Sequence, residues 1–202
     1  TIKCWGRGSK GQIGNGLFFD NYEPVLVKEI GNANIDTKEP LLSEKRKITN
    51  PINDVYPNYI FSSTEWGGLN LEGRCKTLNS IALKGDNILI LDNLTEGLYD
   101  DCKISVVDIN GNESDTLEIN TFAIDTTSPT IFENTPIQEL SNNTTPILIL
   151  TTNESGLISL NNSCSSSMSS VQSGINQIKL NHLSDGIYDN CSIHIIDEAG
   201  NI

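Results

Sequence analysis

The sequence predicts an all-β protein: two sandwich-like modules in tandem, the second cut short, behind a brief glycine-rich segment of a different kind. Three observations carry that prediction. Residues 97–112 read GLYDDCKISVVDINGN and residues 186–201 read GIYDNCSIHIIDEAGN, so Gly, Tyr, Asp, Cys, Ile, Asp, Gly and Asn recur in place at an offset of 89 (186 − 97). A fixed internal period is the signature of like modules in series. The apolar runs are short, β-branched and bounded by Gly, Asn, Asp and Ser, and no window has helical periodicity. The cysteines repeat in the same register: Cys75 and Cys102 are 27 apart, and so are Cys164 and Cys191.

Length and charge narrow the classes of function. A chain of 202 residues has room for two domains with working cores. Its 26 acidic and 13 basic residues give a net charge of −13, which repels nucleic acid phosphates and anionic membrane, so no nucleic acid partner is expected. The longest purely aliphatic stretches are ILIL at 88–91 and ILIL at 147–150. They are far too short to span a bilayer. The sequence opens at Thr1 without a leader and stops at Ile202 directly after the second motif, which reads as a piece of a longer chain whose targeting or anchoring segments lie elsewhere.

Residues 1–34 stand apart from the repeat. The first module is assigned to 35–123 and the second to 124–202, because Ile35, Asp36, Thr37 and Pro40 match Ile124, Asp125, Thr126 and Pro129. Pro57, Glu65 and Gly67 likewise match Pro146, Glu154 and Gly156. The second module has 79 positions against 89, so its last strand is expected to be missing and its penultimate edge exposed. Strands are expected at PNYIFSS and PILILTT, NILILDN and NQIKLNH, CKISVVD and CSIHIID, and at TLEINTFAID in the first module alone. Several short strands with turn signals between them suggest an antiparallel sandwich.

Alternation places Cys102, Ile104 and Val106 inward, with Lys103 and Ser105 outward. Tyr99 then has the wrong parity for a core residue. An extra residue, a bulge near Asp100–Asp101 and again near Asp189–Asn190, would bring both Tyr and Cys inside. The cysteine register predicts one disulfide within each module, Cys75–Cys102 and Cys164–Cys191, and therefore an oxidising compartment; Cys4 is left over. The alternative is buried thiols in a reduced protein. Zinc ligation would need closer cysteine or histidine partners.

Each unit carries, in order, an SSTE or TTNESG turn, a Ser- or Gly-flanked first Cys, G-x-N before an apolar strand, L-x-x-G-x-Y-x-x-C and a D-x-x-G-N turn, and F-x-I-D-T-T-x-P follows at 122–129. Residues 35–202 thereby resemble the tandem bacterial immunoglobulin-like repeats of large surface proteins. The resemblance implies two immunoglobulin-like β-sandwiches in an extracellular or cell-surface stalk, and no enzymatic activity. CWGRGSKGQIGNG with EPVLV, within the first 30 residues, resembles the end of a regulator-of-chromosome-condensation repeat, the blade unit of a β-propeller. Its glycines would serve tight turns, and Trp5 and Ile13 would pack between blades.

Few residue groups suggest chemistry. Gly6-Arg7-Gly8-Ser9-Lys10-Gly11 matches a dinucleotide fingerprint, but no buried strand precedes it and no helix follows. Asp108, Asn110 and Asn112 resemble the opening of an EF-hand loop that then lacks its Gly and its Glu. His182 and His194 have no ligand partners at suitable spacing, and no nucleophile motif occurs. The candidate site is instead a calcium ion at each module entrance. The linker residue Asp125 would meet Glu154, Asp197 and Asn201 there, and Asp36, Glu65, Asp108 and Asn112 would repeat the set one module earlier. The competing reading is that these acids bond only their own turn backbones.

Trp66, where the second module has Ser155, is a candidate for stacking on a glycan or for packing on a neighbouring domain. The functional expectation is a spacer that projects a binding head, with the modules as a glycan- or protein-binding adhesin in the alternative. The ligand itself is not specified.

Overall fold

The computed structural model describes residues 36–202 in full and, for the preceding segment, the backbone of two strands. These are β1 (Lys3–Gly6) and β2 (Asn21–Leu26), which pair antiparallel. The expected blade packing of Trp5 and Ile13, the glycine turns and the thiol of Cys4 lie outside the described residues.

The first module runs through β3 (Leu42–Arg46), β4 (Asn58–Ser63), β5 (Gly67–Glu72), β6 (Ile81–Ala82), β7 (Gly85–Ile90), β8 (Gly97–Tyr99), β9 (Lys103–Val107), β10 (Leu117–Glu118) and β11 (Phe122–Ile124). The second runs through β12 (Ile131–Thr135), β13 (Ile147–Thr152), β14 (Gly156–Asn161), β15 (Ser170–Val171), β16 (Gly174–Lys179) and β17 (Ser192–Ile196). The described strands all pair antiparallel within small open sheets and none closes into a barrel. No described helix is long and apolar enough to cross a membrane.

In the first module β3-β4-β7 forms one sheet, β10-β9-β5-β6 a second, and β11-β8 a short pair. Tyr59 and Phe61 alternate inward along β4 and meet Leu89 of β7, Ala82 of β6 and Ile104 and Val106 of β9 in one sandwich-like core. The second module repeats the layout as β12-β13-β16 and β15-β14-β17 around Leu150, Val171, Ile178 and Ile195. The register repeats with it. Tyr59 faces Leu89 as Leu148 faces Ile178, and Leu71 faces Ile104 as Leu160 faces Ile193. Even the slip in pairing between Glu44 and Arg46 recurs between Glu133 and Thr135. Gly67 and Gly156 open β5 and β14 so close to the carbonyls of Val107 and Ile196 that a Cβ would collide with them.

Both disulfides, Cys75–Cys102 and Cys164–Cys191, are formed, each with Cα atoms 5.6 Å apart. A cross-link over 27 residues stabilises a small domain by about 3 kcal/mol in the chain-entropy model and belongs to an oxidising compartment.

One expectation is corrected. Tyr99 and Cys102 are both buried, but no bulge within one strand does this. The chain leaves β8, paired to β11, and enters β9 in another sheet, and Asp100–Cys102 is the irregular crossing. In the second module no strand precedes the crossing, and Asp189–Asn190 is irregular and pairs with no strand, the Asn190 carbonyl accepting from Asn162 Nδ2 at 2.5 Å. Ser105 keeps the outward face, opposite Asn70, yet is buried there because Glu113 lies over it, its Oε1 accepting from the Ser105 hydroxyl at 2.8 Å. Three strand pairs lie outside the expected set: β3 and β12, β5 and β14, β6 and β15.

The last strand closes the first core. Phe122 is fully buried, its ring stacked on Tyr99 at 5.2 Å, and the Tyr99 hydroxyl donates to the Thr95 carbonyl at 2.9 Å. Phe122→Ala should therefore cost the first module about 3–5 kcal/mol in urea denaturation while leaving the second module's transition in place. A loss below about 1 kcal/mol would mean that β11 is not what closes this core.

Candidate metal centre at the module entrances

Local turn chemistry builds the site from three segments. The D-x-x-G-N turn after β9 is wound around Asp108, whose Oδ1 accepts from the backbone N–H of Asn110 and Asn112, both at 2.8 Å. Gly111 sits at φ 87°, which an L side chain adopts only under strain. After β17 the turn is rebuilt: Asp197 Oδ1 accepts from the backbone N–H of Gly200 at 2.7 Å and Asn201 at 2.9 Å, with Gly200 at φ 97°.

The second segment is the turn after β4 or β13. Ser63 Oγ donates to the Glu65 carbonyl at 2.6 Å, and Thr152 Oγ1 to the Glu154 carbonyl at 3.0 Å, so the same hydroxyl turn presents the glutamate each time. The third is the linker, where Asp36 and Asp125 fold their own backbones by accepting from the N–H of Lys38 at 3.0 Å and Thr127 at 3.2 Å.

These segments converge twice. One carboxylate oxygen from each of Asp36, Glu65 and Asp108 lies within 4.8 Å of the others, and the same holds for Asp125, Glu154 and Asp197. Asp108 and Asp197 are buried and the other four half-buried. The two asparagines take a different part. Asn112 Nδ2 donates to the Asp36 carbonyl at 3.0 Å and to Asp108 Oδ2 at 2.8 Å; Asn201 Nδ2 does the same to the Asp125 carbonyl at 2.9 Å and Asp197 Oδ2 at 2.8 Å. Their amides fasten the linker to the turn.

At the second entrance the first module adds Glu96, whose carboxylate accepts from the hydroxyls of Thr126 at 3.3 Å and Thr127 at 2.7 Å. Trp66, next to Glu65, is 52% exposed. Glu96 is the residue that sequence reasoning missed; it lies inside the repeated L-x-x-G-x-Y-x-x-C motif, where the second module has Asp185, and only the fold brings it to the linker.

The electrostatics follow from crowding without compensation. Among the described residues none of the six acids has a Lys or Arg within salt-bridge distance. Burial, then the charges of Asp125 and Asp197, raise the Glu154 carboxyl above its ordinary value, against the bond from Asn153 and with a further push from Glu96. Burial also pushes Asp108 and Asp197 upward, but bonds from the Asn112 or Asn201 side chain and from turn N–H groups overcome it and hold both below the ordinary value. An all-oxygen, carboxylate-rich set of this kind suits a hard divalent cation such as calcium, and Asp125, Glu154 and Asp197 would be its holders at the junction.

Comparison of the chain with family models, with curated proteins and with solved structures returns no match.

The opposite shifts predict a maximum in stability against pH. Folded Glu154 keeps its proton where the unfolded chain has lost it, so with chelator present the second module gains stability as pH falls from 7, until the unfolded value of 4.5 is passed. Asp197 contributes above its unfolded value of 3.8 and loses that contribution as pH falls through its lower folded value. Urea midpoints of the second module should therefore peak near about pH 4–5. Glu154→Gln should abolish the slope on the alkaline side only, and an unchanged slope in that variant would contradict the repulsion.

Proposed function

We propose that this chain is a spacer segment of a bacterial extracellular or cell-surface protein, made of immunoglobulin-like modules, that holds a binding head away from its attachment point. The observation that carries the reading is the junction made twice from the same parts: a linker aspartate carbonyl clasped by the asparagine of the last turn, beside the same three acids. A device whose copies set the entry of each module in the same way is what a chain of fixed direction requires. The disulfides fit modules exposed to an oxidising exterior. In this reading calcium held by the acids neutralises their repulsion and stiffens the junction, and the chain has no catalytic part.

The second reading is an adhesin that binds glycan or protein through loop tips. It rests on Trp66, an exposed indole where the second module has Ser155. A glycan and protein panel separates the two. The spacer reading expects the intact chain and Trp66→Ala to give the same background signal, whereas a ligand lost on Trp66→Ala makes the modules themselves the binding element. Saturating calcium should also raise the second module's melting transition by about 5 °C and flatten its alkaline pH slope, with chelator reversing both. No shift and no calorimetric heat would leave the acids as turn formers.

A further inference from the structure

We propose that the first module carries a docking trough for a basic segment of another protein, on the outer side of the β6-β5-β9 sheet with Gly68 as its floor. The proposal rests on the second reading above, in which the modules themselves bind, and moves the contact from a loop tip to a sheet face.

The floor is a glycine that the fold does not require. Gly68 is not among the glycines with positive φ, and a Cβ built on it would meet nothing nearer than the Val107 carbonyl oxygen at 3.9 Å. Its neighbour Gly67 would collide with that same oxygen, whereas the second module has Leu157 at the place of Gly68. A glycine inside a strand gives up stability and often marks a place where a ligand or another backbone comes close.

Gly68 pairs with Ile81 on β6 and with Val107 on β9. Trp66, Leu83 and Ile109 lie two residues on, at the same end of the three segments. The counterparts of these places, Ser155, Leu157, Ser170, Gln172, Ile196 and Glu198, line one shallow cavity in the second module, where the Ser155 hydroxyl donates to Gln172 Oε1 at 3.5 Å. In the first module the walls are apolar and open to solvent: Trp66 is 52% exposed, Ile81 58%, Leu83 64% and Ile109 73%. The second module reaches the same register with serine, glutamine and glutamate there, so the sheet does not need these side chains. Contiguous exposed apolar surface of this kind marks a contact with another protein.

The rim sets the charge of the occupant. Glu65 adjoins Trp66 and Asp108 adjoins Ile109, and both belong with Asp36 to the first acid cluster, which has no Lys or Arg within salt-bridge distance among the described residues. Lys84, beside Leu83, is the one base next to a wall residue. A bulky apolar side chain of the partner would fill the trough, and Lys or Arg on either side of it would meet the acids. A second copy of this chain would instead bring acid cluster to acid cluster at a net charge of −13 each. The aliphatic walls would strip hydroxyl groups of water and replace none of their hydrogen bonds, so a glycan is the poorer occupant.

The test uses the full chain with chelator present and the capped peptide acetyl-Lys-Phe-Lys-Phe-Lys-amide, followed by heteronuclear NMR. One peptide per chain should shift the amides of Trp66, Gly68, Ile81, Leu83 and Ile109 and leave those of Ser155, Leu157, Ser170, Gln172 and Glu198 in place. Gly68→Leu and Leu83→Gln, each the residue that the second module carries there, should keep the fold and weaken the peptide about tenfold or more. Peptides with Glu for Lys, or Ser for Phe, should not bind. No saturable shift at millimolar peptide, equal shifts in both modules, or concentration-dependent dimerisation that moves the same amides without peptide would each overturn the proposal. Binding lost in Trp66→Ala but unchanged in Gly68→Leu would overturn the trough while leaving the loop-tip reading in place.

Discussion

The amide of one asparagine in each module fixes where that module begins relative to the chain that enters it. Asn112 and Asn201 each hold a linker carbonyl with the same nitrogen that holds the buried aspartate of their own turn. The turn is in place only because a glycine accepts a positive φ and because the aspartate satisfies its backbone N–H groups. Bonds between Thr130 and Asn153, and between Leu41 and Thr64, hold the linker further along, but the asparagine amide is what holds it at the aspartate itself. The acid triads are therefore a consequence of the clasp, and their mutual repulsion is a load that the clasp carries.

The two modules share their fastening devices and differ in how far their cores are covered. Both have the disulfide, the hydroxyl turn and the tyrosine corner. Only the first has β10 and β11, and only there do Tyr99 and Phe122 stack into a core that joins all the sheets. The second core contracts to Leu150, Val171, Ile178 and Ile195, with half-buried aliphatic neighbours. The disulfide of that module joins exposed Cys191 to buried Cys164.

The period and the motifs were the legible part. The offset of 89 read from GLYDDC and GIYDNC extends to residue-by-residue strand register, and cysteine spacing alone identified both disulfides. The acids at the entrances were also legible, because turn residues at matched positions carry their own placement. What escaped depends on tertiary pairing. Ser105 reads as an exposed strand residue until Glu113 is brought over it, and the crossing at Asp100–Cys102 changes sheets, which no local parity rule describes. β5 and β14 carry alternating leucines or isoleucines, but the glycines that open them hide the strand. Glu96 belongs to the junction only through the fold.

The account stands or falls on whether the clasp holds the modules in one arrangement. Pulsed dipolar spectroscopy between one spin label on each module, introduced on unnatural side chains at exposed Leu78 and Ile175 so that the disulfides stay intact, measures this directly. The intact chain should give a single narrow distance distribution, and Asn201→Ala should broaden it severalfold with both modules still folded. Distributions equally broad in the two chains would contradict the clasp as the element that directs the junction.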